Sequence, residues 1–288
     1  MKPKVAVITR TKDRPLFLQR ALKSVHAQTM QDFAHVIVND GGDKGAVDGA
    51  VAHLTDAQRK KTVVYHRDTP SNAPDTIFNE SVDRAHSEYF VIHDDDDTWH
   101  EDFLAHTVMH LDDRPELGAV VTRADKVIEK LTADSIKEVG RSHWMSDIRV
   151  VSLYRQCIDN QLTPIATVFR RSAYEAVGKF DDKLPVVGDW EFGVRLLMRY
   201  DVDFLDPGFA LAYYHHRKQA DNSFTVHNHR YYVNRVMNEY LRRELSEGRL
   251  GVGYIMSQLK YSQGWTASLI RRVLPDFAVS RLKKRISE

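Results

Sequence analysis

The sequence predicts an α/β domain built on a mixed, mostly parallel sheet flanked by helices. Two observations carry that expectation. Short apolar runs of strand length alternate with amphipathic stretches through the first third of the chain. Polar breaks rich in Asp, Asn and Gly follow those runs, at the carboxyl ends of strands where doubly wound sheets bind ligands.

Taken in order, residues 5–8 form the first strand and 15–28 a helix. Pro15 suits the first turn of that helix, with Phe17, Ala21, Leu22 and Val25 along one face. Residues 36–38 are a second strand closed by Asn39, Asp40, Gly41 and Gly42, and 63–65 are a third, with a weaker helix over 47–58 between them. Residues 77–86 are helical, 89–92 a buried strand, 100–111 another helix and 119–122 another strand. The polar stretch 125–148 shows little periodicity and reads as a functional loop or lid. Beyond it come a strand over 163–169, helices over 172–177 and 190–200, and short strands at 204–205 and 210–214. From residue 231 the pattern is helical to the end.

Bulk properties narrow the class. A formal net charge of +1 gives no general affinity for nucleic acid. A single cysteine, Cys157, excludes an internal disulfide framework and fits a reducing compartment. No stretch approaches the roughly eighteen apolar residues that span a bilayer. The expectation is a soluble, cytoplasmic protein. The last segment carries Arg271, Arg272, Arg281, Lys283, Lys284 and Arg285, a pattern that suits either a helix packed on its own domain or peripheral contact with an anionic membrane.

Chemistry concentrates at four places. Asp94, Asp95, Asp96 and Asp97 leave the buried strand consecutively. Like charges about 4 Å apart repel by about 4 kcal/mol at an effective dielectric near 20, so such a cluster calls for counter-charge. A hard cation, Mn²⁺ or Mg²⁺, takes one or two carboxylates plus substrate phosphate oxygens, and a metal-held nucleoside diphosphate is the leading reading. The competing reading is a solvated turn capping the next helix. Residues 9–14 and 39–42 fall at two further strand ends: Arg14 would face phosphate, and Asp40 is either a base-reading acceptor or an ordinary turn residue. Asp189 stands where either a helix N-cap or a general base belongs, and Glu191 would hold an acceptor hydroxyl. His215 and His216 follow an apolar run, where one of them completes a metal shell or both are surface residues. No dinucleotide GxGxxG or Walker A loop is present.

These residues together resemble glycosyltransferase family 2. The likeness rests on Val5-Ala6-Val7-Ile8 with Thr9, Arg10, Thr11 and Arg14, on Asn39-Asp40-Gly41-Gly42, on Asn79, on the approach to Asp94–Asp97, and on Gly188-Asp189-Trp190-Glu191. It implies a GT-A fold over 1–220, with a nucleotide-binding half of about 1–122 and an acceptor half of about 123–220, then a helical extension over 221–288. It further implies an inverting, metal-dependent transfer from a nucleotide-sugar donor, UDP- or dTDP-linked, to a hydroxyl of a glycan or glycolipid acceptor. By position, Thr9, Arg10, Thr11, Arg14, Asp40, Asn79, Asp95 and Asp96 would bind the donor. Asp97, with Asp95 and His215, would hold the metal, Asp189 would be the base, and Trp190 and Glu191 would meet the acceptor. The rival readings are a nucleotidyltransferase on a related fold, which normally opens with a glycine-rich basic loop, and a non-catalytic nucleotide-sugar-binding protein.

Overall fold

Strand β1 (Val5–Thr11) is buried along almost its whole length and runs parallel to both of its neighbours, β2 (Phe33–Asp40) and β4 (Tyr89–Ile92). A strand covered on both faces has no solvent side, which is why these segments are near-continuous apolar runs. The computed structural model describes residues 2–132, 135–217, 228–256 and 258. In it, seven strands lie in the order β10-β6-β9-β4-β1-β2-β3, adding β3 (Thr62–Arg67), β6 (Ala119–Thr122), β9 (Thr167–Arg170) and β10 (Val202–Leu205). Only β9 runs against its neighbours, β4 and β6, so the sheet is mixed and mostly parallel as expected.

The helices follow from local chemistry. Helix α1 (Pro15–His26) opens on proline and buries Phe17, Leu18, Ala21, Leu22 and Val25. The weak helix expected over 47–58 is two helices, α2 (Lys44–Ala52) and α3 (Asp56–Arg59). Asp43 caps the first, and a reciprocal Thr55–Gln58 capping box starts the second. Helix α4 (Pro74–Ala85) again opens on proline. Helices α5 (Phe103–Asp113), α6 (Leu153–Gln156), α7 (Arg171–Val177) and α8 (Gly188–Leu197) complete the first of two compact units, residues 1–229.

The region expected to be an irregular lid is a β-hairpin. Strands β7 (Ala124–Leu131) and β8 (Ile136–Trp144) pair antiparallel and join β5 (Thr98–Trp99) and β11 (Ala212–Arg217) in a second sheet ordered β5-β11-β7-β8. The alternation was hidden because buried positions of β7 include the acidic Asp125 and Glu129, and because β8 is a largely exposed edge. His215, His216 and Arg217 therefore lie inside a strand rather than beyond its end. The strand expected over 163–169 begins later, after a single 3₁₀ turn at Pro164–Ala166.

The second unit spans residues 230–288. Most of α9 (His229–Ser246) falls in it, and Glu244 accepts the backbone N–H groups of Gly251, Gly253 and Tyr254 at 3.0, 2.8 and 3.2 Å. The basic segment 269–288 lies outside the described residues, as does 218–227 with His227. Among the described residues no helix is long and apolar enough to cross a membrane.

Two core histidines give the fold a pH dependence. His35 is fully buried, its Nε2 2.9 Å from Thr9 Oγ1, and its ring centroid lies 5.5 Å from that of His26. Burial pushes His26 down to about 4 and His35 well below its ordinary range. Both are thus neutral in the folded chain, while the unfolded chain takes up protons as pH falls through about 6.5. The histidine contribution to stability should be full above that value and decline toward pH 4, by about 1.4 kcal/mol per pH unit for each such group. The difference in unfolding free energy between wild type and His35→Leu, read from denaturant curves at pH 8 to 4.5, isolates this slope from the carboxylates and should change with pH by that amount.

Candidate active site

Parallel packing of β1 on β4 brings the loop after β1 against the acidic strand end. Thr11 Oγ1 donates to Asp95 Oδ2 at 2.7 Å, and Arg14 Nη1 lies 3.1 Å from Asp95 Oδ1. Arg14 Nη2 donates to Asp96 Oδ2 at 2.5 Å, and Arg217 from β11 donates to the same oxygen. Arg20 of α1 donates to the Asp96 backbone carbonyl. The guanidinium carbons of Arg14, Arg20 and Arg217 lie 4.8, 5.7 and 4.3 Å from the centroid of Phe17, which serves as a shared aromatic platform.

The four aspartates divide by partner. Burial works against ionised Asp96, yet Arg14 and Arg217 hold it below the ordinary carboxylate range. Asp95 is pushed up to about 6, mainly by burial, with Arg14 opposing. Asp94 rises to about 7 and Asp97 well above its usual value, from burial first and neighbouring aspartates second. Neither Asp94 nor Asp97 has an ion pair among the described residues. Among those residues no three His, Cys, Asp or Glu side chains converge as a ready metal cluster. Mg²⁺ and Mn²⁺ do not require one, since they complete their shell with water and phosphate oxygens. An oxygen-only, buried pair short of positive charge fits that chemistry.

His215 does not fit it through its ring. Its Nδ1 lies 2.6 Å from Glu129 Oε1 and its Nε2 2.7 Å from Thr98 Oγ1, so both nitrogens are committed. It reaches the strand end instead through its backbone N–H, which donates to Asp97 Oδ1 at 2.7 Å. Glu129 also accepts from Arg20 and from Arg217 Nη1; against burial, His215 and then Arg20 hold its pKa down at about 2. Sequence reading missed Glu129, because it lay in a stretch taken for loop.

On the other flank, α8 presents Asp189. Asn160 Nδ2 donates to Asp189 Oδ2 at 2.7 Å, and burial raises the Asp189 pKa. Asn160 is in turn held by Gln156 Nε2 at 2.9 Å. Trp190 faces inward, its Nε1 donating to the Gln156 carbonyl at 2.6 Å, and Glu191 pairs with Arg195 at 2.8 Å. The two residues expected to meet the acceptor thus each have a partner within the chain at the start of α8. Asn79, expected near the donor, is likewise engaged within the chain. Its amide donates to the Phe180 carbonyl at 2.9 Å and accepts from Tyr174 Oη and the Phe180 N–H at 2.7 and 3.1 Å.

At the third strand end, Asp40 Oδ1 accepts the Ser71 N–H at 2.7 Å, with Arg67 Nε 3.6 Å away. Gly41 has φ 75° and packs so closely that a Cβ would stand 2.6 Å from Pro70. Thr9 is sealed beneath this surface on His35, so it forms part of the floor rather than the lining. Arg10 is partly exposed between the flanks. It lowers the pKa values of Asp94 and Asp95 on one side and of Asp75 on the other.

The sequence profile described as Glycosyl transferase family 2 matches residues 6–178, more than half of the chain. The chain belongs to glycosyltransferase family 2. This family 2 glycosyltransferase is 22% identical over 284 residues to a PGL/p-HBAD biosynthesis glycosyltransferase of Mycobacterium tuberculosis (strain ATCC 25618 / H37Rv), covering 98% of this chain and 99% of the relative. It is 34% identical over 100 residues to the succinoglycan biosynthesis protein ExoW of Rhizobium meliloti, covering 34% of this chain and 30% of that one. Among solved structures it is similar to S. aureus TarS 1–349 in complex with UDP, with a TM-score of 0.62, 18% identity and coverage of 81%. The chain spans 64% of that TarS fragment. It also resembles the Pyrobaculum calidifontis mannosyltransferase PcManGT in complex with GDP-Man and Mn²⁺, with a TM-score of 0.61, 15% identity, and coverage of 100% of this chain and 80% of that one. These likenesses establish the GT-A fold.

Two substitutions in this glycosyltransferase probe the geometry. Glu129 is the buried carboxylate shared by Arg20, Arg217 and His215, so Glu129→Ala should cost about 3–5 kcal/mol, read from a urea denaturation curve. A Cβ on Gly188 would collide with Asp75 Oδ2, so Gly188→Ala should push the Asp75 carboxylate away from the start of α8. Turnover should then fall at least tenfold while far-UV circular dichroism remains unchanged.

Proposed function

We propose that this enzyme transfers a sugar from a UDP- or dTDP-linked donor to a hydroxyl of a glycan or glycolipid acceptor, with inversion and with Mn²⁺ or Mg²⁺ as cofactor. The observation that carries the reading is the placement of α4: Asp40 at the end of β2 accepts the Ser71 N–H just before that helix opens, and Asp75 in its first turn packs against Gly188, next to Asp189. On that basis we read the two flanks as one site. The UDP and GDP-Man bound to the structural neighbours support a nucleotide-sugar donor. The relatives named for PGL/p-HBAD and succinoglycan biosynthesis support a glycolipid or glycan acceptor. The basic segment 269–288 suits an acceptor presented at an anionic membrane surface.

Each role follows from chemistry at a named atom. Ser71 holds Asp40 Oδ1, leaving Oδ2 to accept the N3–H of a uracil or thymine ring. Thr11 and Arg14 hold Asp95 beside the ribose, and Arg14 and Arg217 bring positive charge to the diphosphate side. Asp97, with Asp94 or Asp95, would hold the cation, which when bound supplies Lewis-acid stabilisation of the departing diphosphate. Asp189, oriented by Asn160, removes the proton of the acceptor hydroxyl as that oxygen attacks the anomeric carbon. The bond from that carbon to the diphosphate breaks on the opposite face, and the nucleoside diphosphate leaves with the electron pair. A carboxylate of raised pKa is a stronger base than a solvated one, and base assistance contributes about 10²–10⁴-fold.

Asp189→Asn should therefore lower kcat by about 10²–10⁴-fold while leaving nucleotide binding intact. Because burial raises the Asp189 pKa, the base form is lost as pH falls, and the acid limb of kcat should lie above the ordinary carboxylate value of about 4. Metal and donor are read by thermal shift with UDP, dTDP and GDP, each with and without Mn²⁺. A ligand at a hundred times its Kd stabilises by about 2.7 kcal/mol. A Mn²⁺-dependent shift with UDP or dTDP that disappears in Asp97→Ala is the expected result. A shift with GDP alone would overturn the role of Asp40, and none with any nucleotide would overturn the donor assignment.

A further inference from the structure

Asp75 takes no part in the steps above, yet its placement is unusual. It lies in the first turn of α4 and is 5% exposed. It makes no hydrogen bond or ion pair among the described residues, but neither carboxylate oxygen is sealed from solvent. Oδ2 lies against Gly188, where only the absence of a Cβ leaves room for it. Burial, then Asp189, Asp181 and Glu191, push its pKa well above the ordinary value, and Arg10 opposes them.

A first-turn acid gains about 0.3–1 kcal/mol from the helix dipole, whereas an unpartnered buried polar group costs about 1–3 kcal/mol or more. Helix capping therefore does not account for Asp75. It packs against Gly188, one residue before Asp189, and the side-chain charges acting on it are mainly those of Asp189, Asp181 and Glu191. Asn160 already donates to Asp189, and Arg195 to Glu191. Two neighbouring carboxylates select a ligand that presents donors, and adjacent sugar hydroxyls are such donors.

We propose that Asp75 and Asp189 form a two-carboxylate acceptor subsite that binds a vicinal diol, with Asp189 on the attacking hydroxyl and Asp75 on the hydroxyl next to it. The assignment rests on Asp189 as the base. Asp75 fixes which ring hydroxyl reaches Asp189 and so sets the linkage. A site built to hydrogen-bond a hydroxyl discriminates strongly against an analogue that lacks it.

The test uses the full chain saturated with Mn²⁺ and whichever of UDP, dTDP or GDP shifts its melting temperature. Binding of methyl α-D-mannopyranoside, methyl β-D-glucopyranoside and methyl β-D-galactopyranoside is followed by saturation-transfer NMR, alongside their monodeoxy analogues. The expected result is binding of at least one diol-bearing glycoside, weakened tenfold or more by Asp75→Ala and less by Asp75→Asn. One monodeoxy analogue should bind to wild type as weakly as its parent binds to Asp75→Ala. The nucleotide-induced melting shift should be the same in all variants, and the melting temperature of Asp75→Ala should equal or exceed that of wild type. Equal glycoside binding by wild type and Asp75→Ala, absence of binding by wild type, or a lowered melting temperature with unaltered binding would each sink the proposal. Failure of the base assignment would show separately, as undiminished turnover in Asp189→Asn with the glycoside pattern intact.

Discussion

Four consecutive carboxylates at the exit of one buried strand are the constraint around which the first unit is arranged. Each close pair costs about 4 kcal/mol at an effective dielectric near 20, so the surrounding chain must supply positive charge from several directions. Arg14 comes from the loop after β1, Arg20 from α1 and Arg217 from β11, and all three lie within cation–π range of Phe17. Gathering those cations creates its own demand, met by Glu129, which accepts from Arg20, Arg217 and His215. The second sheet thus contributes to the site: β11 carries Arg217 and His215, and β7 the carboxylate that pairs with both. The compensation is uneven. Asp96 is matched, while Asp94 and Asp97 have no ion pair among the described residues, and the unmatched pair is where a cation would complete the balance.

The same charge logic explains which parts of the fold were legible in the sequence. Strands β1, β2 and β4 are covered on both faces, so their apolar runs, and with them the parallel sheet, stood out. The β7–β8 hairpin did not, because Asp125 and Glu129 occupy buried positions where alternation calls for apolar residues. Their partners come from distant segments: Glu129 meets residues 20, 215 and 217, none of which a local window contains. The polar stretch expected to be a functional loop or lid is a strand pair.

At the site, position was readable and orientation was not. Asp189 could be singled out because it opens an amphipathic helix, and Asp40 because it closes a strand. Asn79, Trp190 and Glu191 share those neighbourhoods, yet their polar atoms bond to the Phe180 backbone, the Gln156 carbonyl and Arg195. Asn160 sits in a short loop with no periodicity to mark it, and only the fold brings it 2.7 Å from Asp189. Asp75 was hidden for the opposite reason: an acid just after a helix-opening proline looks fully explained by the helix itself.

The backbone before Asp189 shows how firmly this flank is held. Val187 adopts φ 64° and ψ 10°, a left-handed conformation that is a genuine outlier for a β-branched residue. Such a conformation costs on the order of 1–3 kcal/mol and persists only where the surroundings over-determine it. Here they do: the Val187 side chain is buried, Gly188 has no room for a Cβ beside Asp75, and Trp190 is anchored to the Gln156 carbonyl. A glycine at 187 would remove the strain but also the buried side chain that fixes the turn. The strain is concentrated at the residue pair that sets where α8 begins. The start of α8 is consequently set by these neighbours before any ligand arrives, and Asn160 holds the Asp189 carboxylate, which is the preorganisation that the base role proposed for Asp189 would require.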